Sequence, residues 1–447
     1  MSLIEQTEAA IEEAERINKR LNCFNTICGK EARSRAEDLV RQNKKGMLFG
    51  KVISVKDSIC TKGVRTTAGS EMLRDYIPPF NATVIEKIEA EGGIVIGKTA
   101  MDAFGFGTFG TNVGKGLPIA KNPHDEGRAC GGSSGGAAVA TYSFSSNHLA
   151  LGESTGGSIS APAAFCGVVG FTPTYGRVSR YGLIDYANSL DKIGTMGKNV
   201  HEAELLARVI FGKDQRDETS QLQQDKPARK LRKMGIITEM LIGVDKKIIE
   251  QFWHGIDRLD IEYEEVSFPL IEYAVASYYI IATAEASSNL ARYCGMRYGA
   301  QEEISGSFSE HFSSIRSKYF SDEEKRRIIL GTFVRTAGYK EKYYMKALQI
   351  REKIKQEFQI LFSKYDCLLS PAMPIVAPRF DEIKTLRPID AYALDRCTIP
   401  PNLTGLPHLS VPCGKVNGLP AGLQVICDRW EEKTLIEAGK KIEAQLQ

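Results

Sequence analysis

The sequence predicts an α/β protein built on one mixed β-sheet covered by helices on both faces. Three observations carry that expectation. Short apolar runs alternate with segments of helical period through the first half of the chain. Strand-like runs return near the C-terminus, beyond a long helical middle. Two polar stretches, 213–233 and 302–325, read as surface connections or partly exposed helices rather than domain boundaries. Alternating strand and helix periods are the pattern of a sheet packed between helices, and strands on both sides of the helical middle favour a single sheet assembled from distant segments.

Taken in order, Leu3, Ile4, Thr7, Ile11, Ala14, Ile17 and Leu21 recur at helical spacing, and Ala32, Ala36, Leu39 and Val40 mark a second helix over 32–42. Residues 51–56 read as a strand, 83–92 as a helix and 94–96 as a strand. The small residues of 135–146 predict a tightly packed helix, followed by a buried strand over 148–152. Helical patterns fill 333–365, and strands are expected at 367–370, 408–413 and 422–427. The chain reads as a single domain over 1–447: N-terminal helices 1–45, a catalytic core at about 46–212, a polar connection at about 213–233, and a helical, sheet-completing part over 234–447.

Composition narrows the function. The 447 residues are 43% hydrophobic and 25% charged, as in ordinary globular proteins. A net charge of +3, from 58 basic and 55 acidic residues, argues against a protein that coats nucleic acid unaided. No apolar run reaches the length of about 18 residues needed to span a membrane, and no signal segment opens the chain. The ten cysteines form no C-x-x-C pair, so the expectation is reduced thiols in a cytoplasmic protein with no metal site.

Three glycine-rich stretches match well-known patterns. Residues 92–99 satisfy G-x-x-x-x-G-K-[ST], but the supposed loop is β-branched and apolar and reads better as a strand. Residues 105–110 satisfy G-x-G-x-x-G without a strand leading into them. Residues 131–135 satisfy the nucleophile-elbow pattern G-x-S-x-G, the runner-up for that stretch. The elbow needs a preceding strand and a downstream acid and histidine, whereas 121–130 is polar and none of the six histidines has a recognisable catalytic setting.

A different combination meets a chemical need. A serine hydroxyl attacks only as a base removes its proton. A lysine can be that base when burial or a positive neighbour lowers its pKa from about 10.4 toward about 7–8. Lys56 ends an apolar strand, where it could be drawn into a dry site. Ser133, in the loop 131–136, supplies a hydroxyl to bridge from base to nucleophile. Ser158 follows Thr155-Gly156-Gly157, whose backbone N–H groups, with that of Ser158, can approach a developing oxyanion. One such donor is worth about 3 kcal/mol.

The run 131–136, Thr155-Gly156-Gly157-Ser158-Ile159, and the stretches 162–170 and 172–179 resemble the amidase signature family. The resemblance implies the amidase-signature α/β fold and a triad of Ser158 as nucleophile, Ser133 as bridging serine with a cis peptide, chosen over Ser134, and Lys56 as base. Stretches 173–183, 285–293, 325–333 and 398–414 are further similar to the glutaminase A subunits of glutamyl-tRNA(Gln)/aspartyl-tRNA(Asn) amidotransferases. That resemblance implies glutamine as substrate, with Arg327 gripping its carboxylate and Asp395 its ammonium, and Tyr278, Tyr279 and Ser134 lining the pocket. It implies no cofactor in this chain, ATP and Mg at a partner B subunit that handles misacylated tRNA, and a C subunit completing a heterotrimer. Two charges common in the family, an aspartate before T-G-G-S and an arginine two residues after the nucleophile, are replaced by Ser154 and Ser160. Glu153 is the carboxylate nearest in sequence. A free-standing amidase on another small amide and a scaffold with an impaired site are the alternatives.

Overall fold

The computed structural model describes residues 1–43, 45–145, 147–223, 226–304 and 306–446. Lys44, Ser146, Gln224, Asp225, Ser305 and Gln447 lie outside the described residues. With them go the last residue of the helix expected over 135–146 and short pieces of the N-terminal helical segment and both polar stretches.

The strands are β1 (Phe24–Ile27), β2 (Val52–Lys56), β3 (Ile94–Thr99), β4 (His148–Ser154), β5 (Val169–Thr172), β6 (Lys192–Gly197), β7 (Lys233–Ile237), β8 (Glu262–Val266), β9 (Cys367–Pro371), β10 (His408–Val416) and β11 (Leu419–Ile426). They form one sheet in the order β1-β3-β2-β4-β6-β5-β10-β11-β9-β7-β8. β2 runs parallel to β3 and β4, and β7 runs parallel to β8 and β9. The other neighbours are antiparallel, so the sheet is mixed, as expected.

The period-two alternation of β2 sorts its side chains between two cores. Ile53 and Val55 pack with the helices Thr83–Ala90 and Val200–Ile210, while Val52 packs with the N-terminal helices and the small-residue helix Gly135–Ser143. Lys56 therefore leaves the end of β2 on the side of the Gly135–Ser143 helix. That end is also the carboxyl end of parallel neighbours, where open α/β sheets form their crevices.

The N-terminal helix Leu3–Leu21 buries Leu3, Thr7, Ile11, Ala14, Ile17 and Leu21, and Ser2 caps it through a reciprocal box with Glu5. Ile4 and Val40, expected on the buried stripes of their helices, are exposed instead. The helical middle divides into Asp322–Arg335 and Tyr344–Phe362. Thr336 is extended and Gly338 has φ +84°, a backbone that no helix continues through.

The G-x-x-x-x-G-K-T match falls on β3. Lys98 is fully buried there, donating to Thr66 Oγ1 at 2.8 Å with Asp57 Oδ1 3.8 Å away, so it serves the core rather than a phosphate. Lys98→Met would strand the buried Asp57 carboxylate. Breaking such a pair costs about 3–5 kcal/mol. Chemical denaturation is expected to show a loss of that order, and an unchanged midpoint would contradict the pairing.

Candidate active site

Lys56 is fully buried, and its Nζ has three acceptors. They are Ser133 Oγ at 2.7 Å, the Glu153 carbonyl at 2.9 Å and Glu153 Oε2 at 2.8 Å. The peptide Gly132–Ser133 is cis. Of the two adjacent serines, Ser133 is the one that meets Lys56. Ser134 turns its hydroxyl onto the backbone of β4, donating to the Glu153 carbonyl at 3.0 Å. That bond fastens the 131–136 loop to the strand, and Ser134 is not among the residues that line the cavity.

The cavity in front of Ser158 is lined by Gly105, Gly107, Thr108, Gly132, Gly156, Gly157, Tyr278, Tyr279, Arg327 and Asp395. It gathers the predicted nucleophile, both glycines beside it and all four predicted substrate contacts other than Ser134. Lys56, Ser133 and Thr155 lie behind this surface, each buried. The G-x-G-x-x-G stretch finds its use here, as a wall of the cavity.

Close packing explains the glycines beside Ser158. A Cβ on Gly156 would lie 2.5 Å from the Tyr278 ring, and one on Gly157 would lie 2.2 Å from Thr398 Oγ1. Asp102 braces the opposite wall: its carboxylate accepts from the backbone N–H of Gly110 at 3.0 Å and Asn112 at 2.8 Å. It packs where a Cβ on Gly107 or Gly132 would stand, and burial pushes its pKa up to about 6.

At one end of the cavity Arg327, from the helix Asp322–Arg335, donates to Glu323 Oε1 at 2.8 Å and to the Tyr186 hydroxyl. Its guanidinium lies among the rings of Phe106, Tyr186, Tyr279 and Tyr392 at 5.0–5.4 Å. Asp395 Oδ2 accepts from the Tyr279 hydroxyl at 2.6 Å and from Thr108 Oγ1 at 3.1 Å. Desolvation pushes the Asp395 carboxyl up to about 6 against those hydrogen bonds. The cavity volume is about 10 Å³, the room of a single water. Each charged group thus holds a partner within the protein.

The two serines that replace charges are treated differently by the fold. Ser154 donates to Asn402 Oδ1 at 3.1 Å. Asn402 Nδ2 in turn donates to the Thr398 carbonyl at 2.8 Å and lies 3.3 Å from His408 Nε2. His408 Nδ1 and Lys192 Nζ both meet the Leu406 carbonyl at 3.1 Å. This buried network ties the end of β4 to Thr398, the residue seated over Gly157. The Ser160 hydroxyl is buried without a hydrogen-bond partner among the described residues. Glu153 turns not toward the serine pair but toward Lys56.

Sequence reasoning pointed to Glu153 only through its adjacency to T-G-G-S. It gave no sign of Asp102, Tyr186, Asp191, Glu323, Tyr392 or Asn402. Tyr186, Asp191, Tyr392 and Asn402 meet partners 141, 36, 69 and 248 residues away, contacts that no local pattern marks. Glu323 sits four residues before Arg327, and Asp102 eight and ten residues before its partners, spacings that carry no signature by themselves.

A mixed sheet with a buried lysine, a hydroxyl hydrogen-bonded to it and a glycine-framed serine at one crevice fits the class of α/β amidases. The chain belongs to the amidase family, whose model matches residues 5–436. It is 47% identical over 439 residues to the A subunit of glutamyl-tRNA(Gln) amidotransferase from Archaeoglobus fulgidus, covering 97% of this chain and 94% of that one. It is 43% identical to the same-named protein of Sulfolobus acidocaldarius, covering 98% and 93% of the two chains. Among solved structures, the A subunit of glutamyl-tRNA(Gln) amidotransferase from Thermotoga maritima superposes with a TM-score of 0.81 at 35% identity, over 99% of this chain and 91% of that one. A protein described simply as an amidase superposes at 0.83 with 27% identity, over 100% and 97%.

Asn402→Ala would orphan the Ser154 hydroxyl and His408 Nε2 inside the protein. A buried group left unsatisfied costs about 1–3 kcal/mol. The expected result is a stability loss of that size in denaturant titration together with reduced amide hydrolysis. Unchanged stability and turnover would show that this network does not brace the nucleophile loop.

Proposed function

We propose that this chain is the glutamine-hydrolysing A subunit of a tRNA-dependent amidotransferase. The observation that carries the reading is one cavity holding a guanidinium, a carboxylate and Ser158 together. An α-amino acid presents a carboxylate and an ammonium at fixed spacing, and Arg327 and Asp395 offer the matching charges. A planar guanidinium can grip a carboxylate with two parallel hydrogen bonds. Glutamine would exchange the internal partners, Glu323 and Tyr186 on one side and Tyr279 and Thr108 on the other, for its own groups. The names of the curated relatives support the same reading.

In the proposed mechanism Ser158 Oγ attacks the side-chain amide carbon of glutamine. Its proton passes to Ser133 Oγ as the Ser133 proton passes to Lys56 Nζ. Backbone N–H groups of Thr155, Gly156, Gly157 and Ser158 receive the oxyanion. The proton returns through Ser133 to the departing nitrogen, the C–N bond breaks, and ammonia leaves a γ-glutamyl ester on Ser158. Water, deprotonated by the same pair, hydrolyses the ester. No step calls on a cofactor of this chain. Ammonia would pass to a B subunit that uses ATP and Mg to activate misacylated Glu-tRNA(Gln) or Asp-tRNA(Asn), with a C subunit completing a cytoplasmic heterotrimer. No helix among the described residues is long and apolar enough to cross a membrane.

Ser158→Ala is expected to cut ammonia release from L-glutamine by at least about 10³-fold, because the residual groups of such a site retain only weak catalysis. Turnover within tenfold of the parent would overturn the nucleophile assignment.

Asp395 holds an ammonium only when ionised, and its carboxyl is raised to about 6. The charged form therefore prevails above that pH and is lost below it. KM for glutamine is expected to rise as pH falls from 7 through about 6, while Asp395→Asn shows a high KM with no such rise. A flat KM in the parent protein would contradict the role.

A further inference from the structure

A hydrogen-bond count behind Lys56 does not close with both neighbouring carboxyls ionised. Glu153 gives Oε2 to Lys56 Nζ at 2.8 Å and places Oε1 2.8 Å from Thr155 Oγ1. The same hydroxyl lies 2.8 Å from Asp191 Oδ1. A hydroxyl has one proton to donate. It can serve one carboxylate, and the other oxygen then faces a lone pair of Oγ1, which is attractive only if that carboxyl carries a proton itself. Glu153 is 3% exposed, and Thr155 and Asp191 are each 1% exposed. Two like charges bridged by one hydroxyl in so dry a place do not both ionise readily.

The surroundings give the proton two resting places. Asp191 is pushed well above the ordinary carboxylate range by burial first and the charge of Glu153 second. Backbone N–H groups of Tyr186 at 2.9 Å and Ala187 at 3.0 Å favour its charged form, as does Arg180 at longer range. Glu153 faces Lys56 on β2 and, through Thr155, Asp191 ahead of β6. Asp102, in the loop after β3, also lies within electrostatic range of Lys56.

We propose that Glu153, Thr155 and Asp191 share one proton, and that Glu153 is thereby a positioning residue that sets the pH at which Lys56 takes up the nucleophile's proton. The inference rests on the Ser158–Ser133–Lys56 reading above. While Lys56 is an amine, the proton sits on Glu153 Oε1 and is donated to Thr155, whose own proton goes to the Asp191 carboxylate. When Nζ gains a proton from Ser133, the Glu153 proton moves to Thr155 Oγ1 and the Thr155 proton moves to Asp191 Oδ1. Glu153 then carries the negative charge beside the new ammonium. Each proton crosses one hydrogen bond, no atom is gained or lost, and the pair of carboxyls keeps a single negative charge throughout. When Nζ returns its proton to the leaving nitrogen, both shifts reverse. Such a pair titrates as a unit.

The test is the pH profile of kcat/KM for ammonia release from L-glutamine by the chain assembled with its partner subunits. Glu153→Gln keeps the size and the contacts but never becomes anionic. Its acid limb is expected to move to lower pH by about one unit or more. Asp191→Asn donates permanently to Thr155 and locks Glu153 as the carboxylate, so its limb is expected to move the opposite way. Glu153→Asp is expected to return the limb toward the parent. Melting temperatures of all three are measured alongside, and a variant that does not fold is replaced by Thr155→Val, which breaks the bridge and should also displace the limb. Lower plateaus with every limb in the parental place would overturn the shared proton and leave these residues a purely structural role. Ser158→Ala, run in parallel, separates the two failures. If it remains active the triad reading fails, whereas an inactive Ser158→Ala beside unmoved limbs sinks only the proton sharing.

Discussion

A lysine without solvent exposure must find acceptors for its nitrogen inside the protein, and in this chain that requirement organises the site. Lys56 ends a strand between two parallel neighbours, where an apolar residue would be the ordinary choice. Its nitrogen draws together the cis-linked Ser133, the carbonyl of Glu153 near the end of β4 and the carboxylate of the same residue. Desolvating an ammonium costs several kcal/mol unless a countercharge and hydrogen bonds meet it. Bringing those partners in demands loops that approach without side chains of their own. The glycines at 107, 132, 156 and 157 answer that demand, since a Cβ at any of them would collide with Asp102, Tyr278 or Thr398.

With Lys56 as the organising group, the missing charges at Ser154 and Ser160 are less of a defect than the sequence suggested. Ser154 is held by Asn402, and through Asn402 by the backbone that carries Thr398. The carboxyl group beside the loop belongs instead to Glu153, one residue earlier on β4, where it faces Lys56. A buried ion pair contributes little net stability, but removing one partner is expensive. Glu153 is therefore constrained by Lys56 as firmly as Lys56 is constrained by Glu153.

Much of this was legible in the sequence because it is written locally. The apolar run 52–55, the small residues after 134 and the order of Lys56, Ser133 and Ser158 each depend on neighbours a few residues away. The short strands β1, β5 and β6 were not legible. They are four to six residues long, and β5 and β6 contain Gly170, Gly194 and Gly197, so no alternation can establish itself. β8 is a charged, exposed edge strand, a pattern that protects sheet edges but resembles a loop in sequence. Tyr186 and Asp191 were invisible for a different reason. Tyr186 meets Arg327 across 141 residues, and Asp191 meets Thr155 across 36. Arg327 and Asp395 were found only because stretches around them resemble known glutaminase chains. By themselves they would have passed for surface ions.

The central claim is that Ser158, activated from Lys56 through Ser133, forms a covalent acyl intermediate with glutamine. The most direct measurement is acid quench of the enzyme during steady turnover of L-glutamine, followed by peptide mass spectrometry. The account predicts one γ-glutamyl group esterified to the hydroxyl of Ser158. A γ-glutamyl group on any other residue, or turnover that proceeds with no acylated peptide under conditions that preserve esters, would contradict it.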